Sequence, residues 1–267
     1  MSPPLGQLLK GGAFEFQMGM RRGGDEFFQN RPENRAVLDE RRRWLAREPE
    51  HYAACGPAGD ALLAETMSFA RAMNPRIAAD SLLSLGAAWE PDFLLLRANG
   101  AGQFRLVAGC VCFPSHWALR EKLGHPLAAI HAPVPTLNAT LGAKIDTFLA
   151  GLRADAVWER WNWGLAATPE RNDHPARGLA RLTAAATPDA CWFRAERQAF
   201  RLLPETRGIL FAIRIELVPL TELAGDAELA ARLAEALRSM PAEIAAYKGV
   251  AAARFPLAAL LESGAGK

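Results

Sequence analysis

The chain has 267 residues, half of them apolar and 22% charged, with a formal net charge of +2. That length can bury a substantial core, and so small a charge excludes the broad cationic footprint required by nucleic acid or an anionic membrane surface. No run approaches the roughly 18 consecutive apolar residues of a membrane span. The opening MSPPLGQLLKGG lacks the apolar stretch of a secretory signal, so a cytoplasmic location is expected.

The elements follow in order. The first ninety residues read as a helical lead-in. Pro32 opens a pattern with Val37, Leu38 and Leu45 among charges, which is helical spacing. Within it Arg41, Arg42 and Arg43, near Glu40 and Glu48, read as a solvated helix face. A second helix is expected over residues 61–73, ended by Asn74-Pro75. DFLLLR and QFRLVAGCVCF flank an Asn99-Gly100 turn, which predicts a β-hairpin. Ser115 is placed to cap a helix over HWALREKL, with Gly124 ending it. IHAPVP, residues 130–135, interrupts the helical text, because proline fixes φ and pushes its predecessor towards extended backbone. A stiff extended mount for His131 is therefore expected. A helix over residues 141–152 follows, then strands over 157–167, 191–203 and 209–220. In the last strand Ile209, Phe211, Ile213, Ile215 and Leu217 alternate, so one face is buried. Asp226 caps a helix with Leu229, Leu233 and Leu237, Pro241 breaks it, and a short helix reaches about Tyr247.

Four cysteines, Cys55, Cys110, Cys112 and Cys191, show no zinc or iron–sulfur spacing and are expected as buried free thiols. Two strands, a helical crossing and three more strands predict an α+β fold. That order matches a PAS-like five-stranded antiparallel sheet with a ligand cleft under the crossing. The expected divisions are a helical N-terminal extension (1–90), a PAS-like core (91–220) and a C-terminal helical extension (221–267).

Three motifs go further. CFPSHWALREKLGHPLAAIHAPVP, then Arg160, Asn162 and Trp163 as Arg-x-Asn-Trp, then RAERQAFRLLP occur in this order. Together they resemble the signatures of the haem-dependent oxidative N-demethylase family. The chain departs from the family pattern at Ala199 and Phe200, where threonine and leucine are usual, at Leu202, and around Arg214.

The resemblance implies haem b in the cleft and oxidative removal of a methyl group from a small secondary amine such as dimethylamine, giving methylamine and formaldehyde. Of the five histidines, His131 is the expected axial ligand of the haem iron. His51 falls in the lead-in, His174 in a polar loop, His125 at a helix end, and His116 where the family does not require histidine. Arg160, Arg194, Arg197 and Lys122 are candidate partners for the haem carboxylates, and Trp161 and Trp163 for the pocket wall. Glu196 is the candidate catalytic residue, able to attract the amine cation, orient it and accept a proton. Cross-strand ion pairing with Glu159 or Glu196 is an alternative for any of these arginines.

The sequence holds no dinucleotide fingerprint and no cluster-binding cysteine run. Electrons are therefore expected from partner reductase subunits carrying flavin and an iron–sulfur centre, with NADPH as donor. The alternative is a PAS-like protein that binds haem or another small ligand and senses it without turnover.

Overall fold

Two periodicities divide the chain: apolar residues two apart build strands, and those three or four apart build helices. The computed structural model describes residues 4–264, so the first three residues of the opening stretch lie outside it. In chain order the elements are α1 (Leu5–Leu8), β1 (Arg21–Gly23), α2 (Arg35–Arg47), α3 (Pro49–Tyr52), β2 (Ala53–Cys55), α4 (Asp60–Met73), α5 (Leu82–Ala88), β3 (Asp92–Ala98) and β4 (Phe104–Cys110). There follow α6 (Leu127–His131), α7 (Leu137–Ala150), β5 (Val157–Ala166), β6 (Trp192–Leu202), β7 (Ile209–Pro219), α8 (Leu220–Ala224), α9 (Ala227–Ser239), α10 (Ala242–Tyr247) and α11 (Arg254–Gly264).

The fold is α+β, but the sheet has seven antiparallel strands rather than five, in the order β1-β5-β6-β7-β3-β4-β2. The five expected strands form its continuous middle. The additions are three-residue edges: β1 pairs with Val157 to Glu159, and β2 with Ala108 to Cys110. Three residues are too few for alternation to register, which is why the lead-in read as wholly helical.

Register fixes which side chains share a face. Glu196 lies opposite Asn162 and Ile215, Gln198 opposite Arg160 and Ile213, and Phe200 opposite Trp158 and Phe211. These residues form one face. The other face carries Phe93, Leu95, Ala199 and Ala212, which join Phe27, Phe28 and Trp89 in the larger core. Farther along that face, Phe193, Ala195 and Val218 pack with Leu233 and Leu237 of α9 and Leu257 of α11. Each fully buried leucine contributes about 1.5–3 kcal/mol. Asp226 caps α9 as expected, accepting from Glu228 N and Leu229 N at 3.0 and 3.1 Å.

Three local expectations fail. HWALREKL forms no helix: His116 takes φ 59°, a left-handed conformation, and the chain from there to Gly124 is turn and coil. Tertiary bonds override the helical text, since His116 N donates to Asp173 O and Gly124 N to Leu106 O. The Arg41-Arg42-Arg43 run is not all solvated: Arg41 is wholly buried and paired with Asp92, while Arg42 pairs with Asp39 in solvent. Among the free cysteines Cys110, Cys112 and Cys191 are buried, and Cys55 is exposed.

Candidate functional site

A cavity of about 510 Å³ lies between the first sheet face and the segment that crosses it, a size typical of small-molecule sites. The sheet supplies its floor. Helices α6 and α7 cover it, and residues 16–20, 168–182 and 247–249 close its ends. The end beneath α6 and α7 is apolar, with Leu94, Leu96, Leu106, Ile130, Ile145 and Ile213. There Phe200 stacks on Phe211 with ring centroids 4.5 Å apart and planes 8° apart, and Phe148 meets Phe200 edge-on at 5.6 Å. The departure at Phe200 thus widens a flat aromatic wall.

The other end is polar and centred on Glu196. One of its oxygens accepts from Ser115 Oγ at 2.5 Å; the other accepts from Gln198 Nε2 at 2.8 Å and Asn162 Nδ2 at 3.4 Å. Ser115 in turn accepts from Arg194 Nε at 2.8 Å. The remaining Arg194 donors reach the carbonyls of Phe113, Pro114, Glu170 and Arg171 at 2.8–3.3 Å. Arg194 lines the cavity, but its guanidinium is spent on the protein. It fastens the Phe113–Ser115 turn and the 170–171 loop instead of standing free for a ligand carboxylate, which corrects the expectation.

His131 is on the cavity wall, but its mount is not the extended segment expected. It is the last residue of α6, and Ala132 keeps helical φ −53° and ψ −36° although Pro133 follows. Val134 N donates to His131 O at 2.9 Å and closes a turn. Stiffness comes from anchoring: Leu106 N donates to His125 O at 3.2 Å, and Asn138 Nδ2 to Ala128 O at 2.8 Å, tying α6 to β4 and α7. The helix backbone costs Ala132 little once these bonds hold both flanks. The His131 ring makes no hydrogen bond among the described residues. Burial, with the charges of Arg160 and Lys122, holds its pKa below the ordinary histidine value, so the imidazole is neutral at pH 7.

Arg160 and Lys122 also line the cavity. The Arg160 Nε is buried with no hydrogen-bond partner among the described residues. Burial lowers the pKa of this guanidinium, and the charge of Glu196 opposes the shift. Arg197 and Trp161 are not at the cavity. Strand alternation turns them to the opposite face, where Arg197 grips Glu159 through two bonds of 2.9 and 3.1 Å and lies 5.1 Å over the Phe27 ring. The cross-strand ion pair is therefore the observed role of Arg197. Trp163 touches the cavity, yet its indole stacks on Phe193 of the far face, 5.5 Å between centroids.

Several lining residues escaped the sequence reading. Ser115 reads in the sequence as a helix cap. Asn162 and Gln198 sat inside quoted motifs without a role. Phe16, Met18 and Met20 are half-buried with exposed residues between them, a period-two pattern in the sequence. Tyr247 and Lys248 carry no signal, because the reach of Lys248 to the Trp163 carbonyl on the edge of β5 is set only in three dimensions.

Chemically, the cavity offers a neutral nitrogen donor, cations without an ion-pair partner among the described residues, apolar walls with a stacked aromatic pair, and, besides Glu121, Glu170 and Asp173 on its lining, the Glu196 carboxylate held by three donors. That set suits a flat apolar macrocycle with a nitrogen-binding metal and acidic side arms, and it leaves Glu196 for a small cation. Among the described residues no helix is long and apolar enough to cross a membrane. The model of one family, described as haem-dependent oxidative N-demethylase, alpha subunit-like, matches residues 60–257. This span is well over half of the chain and contains the floor, the crossing helices and the Glu196 cluster, so the protein belongs to the haem-dependent oxidative N-demethylase alpha subunit-like family.

Proposed function

We propose that this chain is the haem-binding catalytic subunit of an oxidative N-demethylase acting on a small secondary amine such as dimethylamine. The observation that carries the proposal is a neutral His131 imidazole with no hydrogen-bond partner among the described residues, in one cavity with the Arg160 guanidinium, whose buried Nε also has none among them. Haem b would be held by the His131 imidazole through its iron, by Arg160 and Lys122 through its carboxylates, and by the apolar wall that includes Phe200 and Phe211. The middle strands, read with α6 and α7 as a PAS-like core, support a ligand held under the crossing. When bound, the haem supplies dioxygen activation. The reaction takes one dioxygen, two electrons and two protons. One oxygen atom enters a methyl C–H bond and the other leaves as water. The hydroxymethyl amine then splits to methylamine and formaldehyde.

This chain's residues bind and orient the amine. The Glu196 carboxylate attracts the dimethylammonium cation and accepts its N–H. Ser115, Gln198 and Asn162 hold that carboxylate in one orientation, so the cation is fixed relative to His131. Residues 16–20 and 247–249 cover the cavity ends and limit water. The electrons would come from a partner reductase with flavin and an iron–sulfur centre, fed by NADPH, which agrees with membership of an alpha-subunit family.

The test is spectral, then chemical. Protein loaded with haem should show a Soret band characteristic of histidine ligation, and His131→Ala should lose it. The loaded protein, supplied with a reductase, should release formaldehyde from dimethylamine. A His131→Ala spectrum identical to wild type would overturn the ligand assignment. Haem binding without formaldehyde release, with electrons demonstrably reaching the iron, would overturn the enzyme reading.

A further inference from the structure

Lys248 follows the end of α10 and crosses to the edge of β5. Strand β1 pairs only with Val157 to Glu159, so beyond that point one edge of β5 has no strand neighbour among the described residues. An unpaired edge carbonyl needs a donor, and Lys248 Nζ reaches the Trp163 carbonyl at 2.6 Å. The amine also lies 5.5 Å above the Trp163 ring and 5.9 Å above that of Phe14. An ammonium has three N–H donors, and the structure gives Lys248 this single acceptor.

No carboxylate lies within ion-pair distance of Lys248 among the described residues. Glu196, whose charge reaches it, is already held by Ser115, Gln198 and Asn162. Arg160 lies close enough for its charge to act on Lys248, and among the described residues it too has no ion-pair partner, its buried Nε having no hydrogen bond. Two cations beside one cavity, neither in ion-pair contact with a protein anion among the described residues, form a site for a carboxylate. Burying such charges is costly unless a counter-charge joins them. In agreement, burial and the Arg160 charge pull the Lys248 pKa down to about 8, against the opposing charge of Glu196.

We propose that Lys248, together with Arg160, binds a carboxylate side arm of the haem, so that cofactor loading clamps the C-terminal helices to the edge of β5. This rests on the haem reading above. It adds a ligand residue from outside the five middle strands and the crossing. It also links the turn at Gly249, where φ is 69° and backbone bonds to Ala245 O and Ala246 O close the chain, to cofactor loading.

The test compares haemin with haemin dimethyl ester, which keeps the ring and iron but has no carboxylates. Both are titrated by absorbance into the full-length wild type, Lys248→Met and Lys248→Arg. Loss of a charge-assisted bond should weaken haemin binding by about tenfold in Lys248→Met and by less in Lys248→Arg. Affinity for the ester should be equal in all three, which also shows that the variant is folded. In hydrogen exchange, haemin should slow residues 242–253 in wild type and the ester should not. If Lys248→Met discriminates haemin from the ester as wild type does, Lys248 is no carboxylate ligand, while the haem reading stands. If wild type binds neither compound, both readings fall.

Discussion

Ser115 Oγ stands 2.5 Å from one Glu196 oxygen while accepting from Arg194 Nε at 2.8 Å, so the arginine orients a hydroxyl that orients the carboxylate. The chain of bonds begins at backbone, because the same guanidinium holds the Phe113 and Pro114 carbonyls. Ser115→Ala should leave the fold intact and let the carboxylate turn. A hydrogen bond to a charged group contributes about 1.5–3 kcal/mol, so kcat/KM for formaldehyde release from dimethylamine should fall by about tenfold or more. Haem affinity should not change. Unaltered steady-state kinetics would remove Ser115 from the binding apparatus.

The turn carrying Ser115 is held from below by a buried ion pair. Asp92 Oδ1 accepts from Cys112 N at 2.7 Å and Oδ2 from Phe113 N at 2.9 Å, and Arg41 pairs with Oδ1 while donating to Gly86 O at 2.7 Å. Asp92→Asn leaves a wholly buried guanidinium with no anion, which costs about 3–5 kcal/mol. Urea unfolding should show that loss as a lower midpoint at constant slope. Adding Arg41→Met to Asp92→Asn removes the stranded charge, and the double variant should be more stable than Asp92→Asn alone. A double variant weaker than the single one would show that Arg41 acts by packing and not as a counter-ion.

This pair also shows where the sequence was legible and where it was not. The five long strands announced themselves by alternation, as with Ile209, Phe211 and Ile213. The motif residues Arg160, Asn162, Glu196 and Gln198 do converge on one face, because strand alternation and antiparallel register place them there. Arg41 looked solvated because neighbouring charges set the local pattern, but its partner Asp92 is 51 residues away. HWALREKL had helical composition, and bonds to Asp173 and Leu106 drew it into turns. Arg197 sat beside Glu196 in the motif, and strand alternation sent it to the other face. Long-range pairing decided each of these cases, and local periodicity carries no record of it.

Besides its own backbone bonds, the β6–β7 turn is braced by a side chain from α4. Glu65 accepts from Glu205 N and Thr206 N, both at 2.9 Å, and from Thr206 Oγ1 at 2.6 Å. Glu65→Ala orphans these donors and should destabilise the protein by about 1–3 kcal/mol. Glu65→Gln keeps one accepting oxygen and should lose roughly half as much. Thermal melts of the two variants would show the order; equal melting points for both and for wild type would show that water replaces the carboxylate without loss.

Lys248 gives stability a pH dependence whose sign is fixed. Its pKa is about 8 in the folded protein against about 10.5 for an ordinary lysine. Between these values the unfolded chain binds more protons than the folded one, so stability from this group rises with pH from about 8 to 10.5 and is flat below 8. Protein without haem should therefore be less stable at pH 7 than Lys248→Met. The deficit is on the order of 2 kcal/mol, after allowance for partial solvent exposure of the residue. Above pH 8 the gap should narrow and should be nearly closed by pH 10.5. Haemin should reverse the relation at pH 7: a carboxylate against the ammonium favours the charged form, so loading should stabilise wild type more than the variant. Urea midpoints at pH 7, 9 and 10.5, with and without haemin, read both effects. A gap that stays constant across that range would mean that Lys248 is as well solvated as a surface lysine, and the charge argument for its role at the β5 edge would fail.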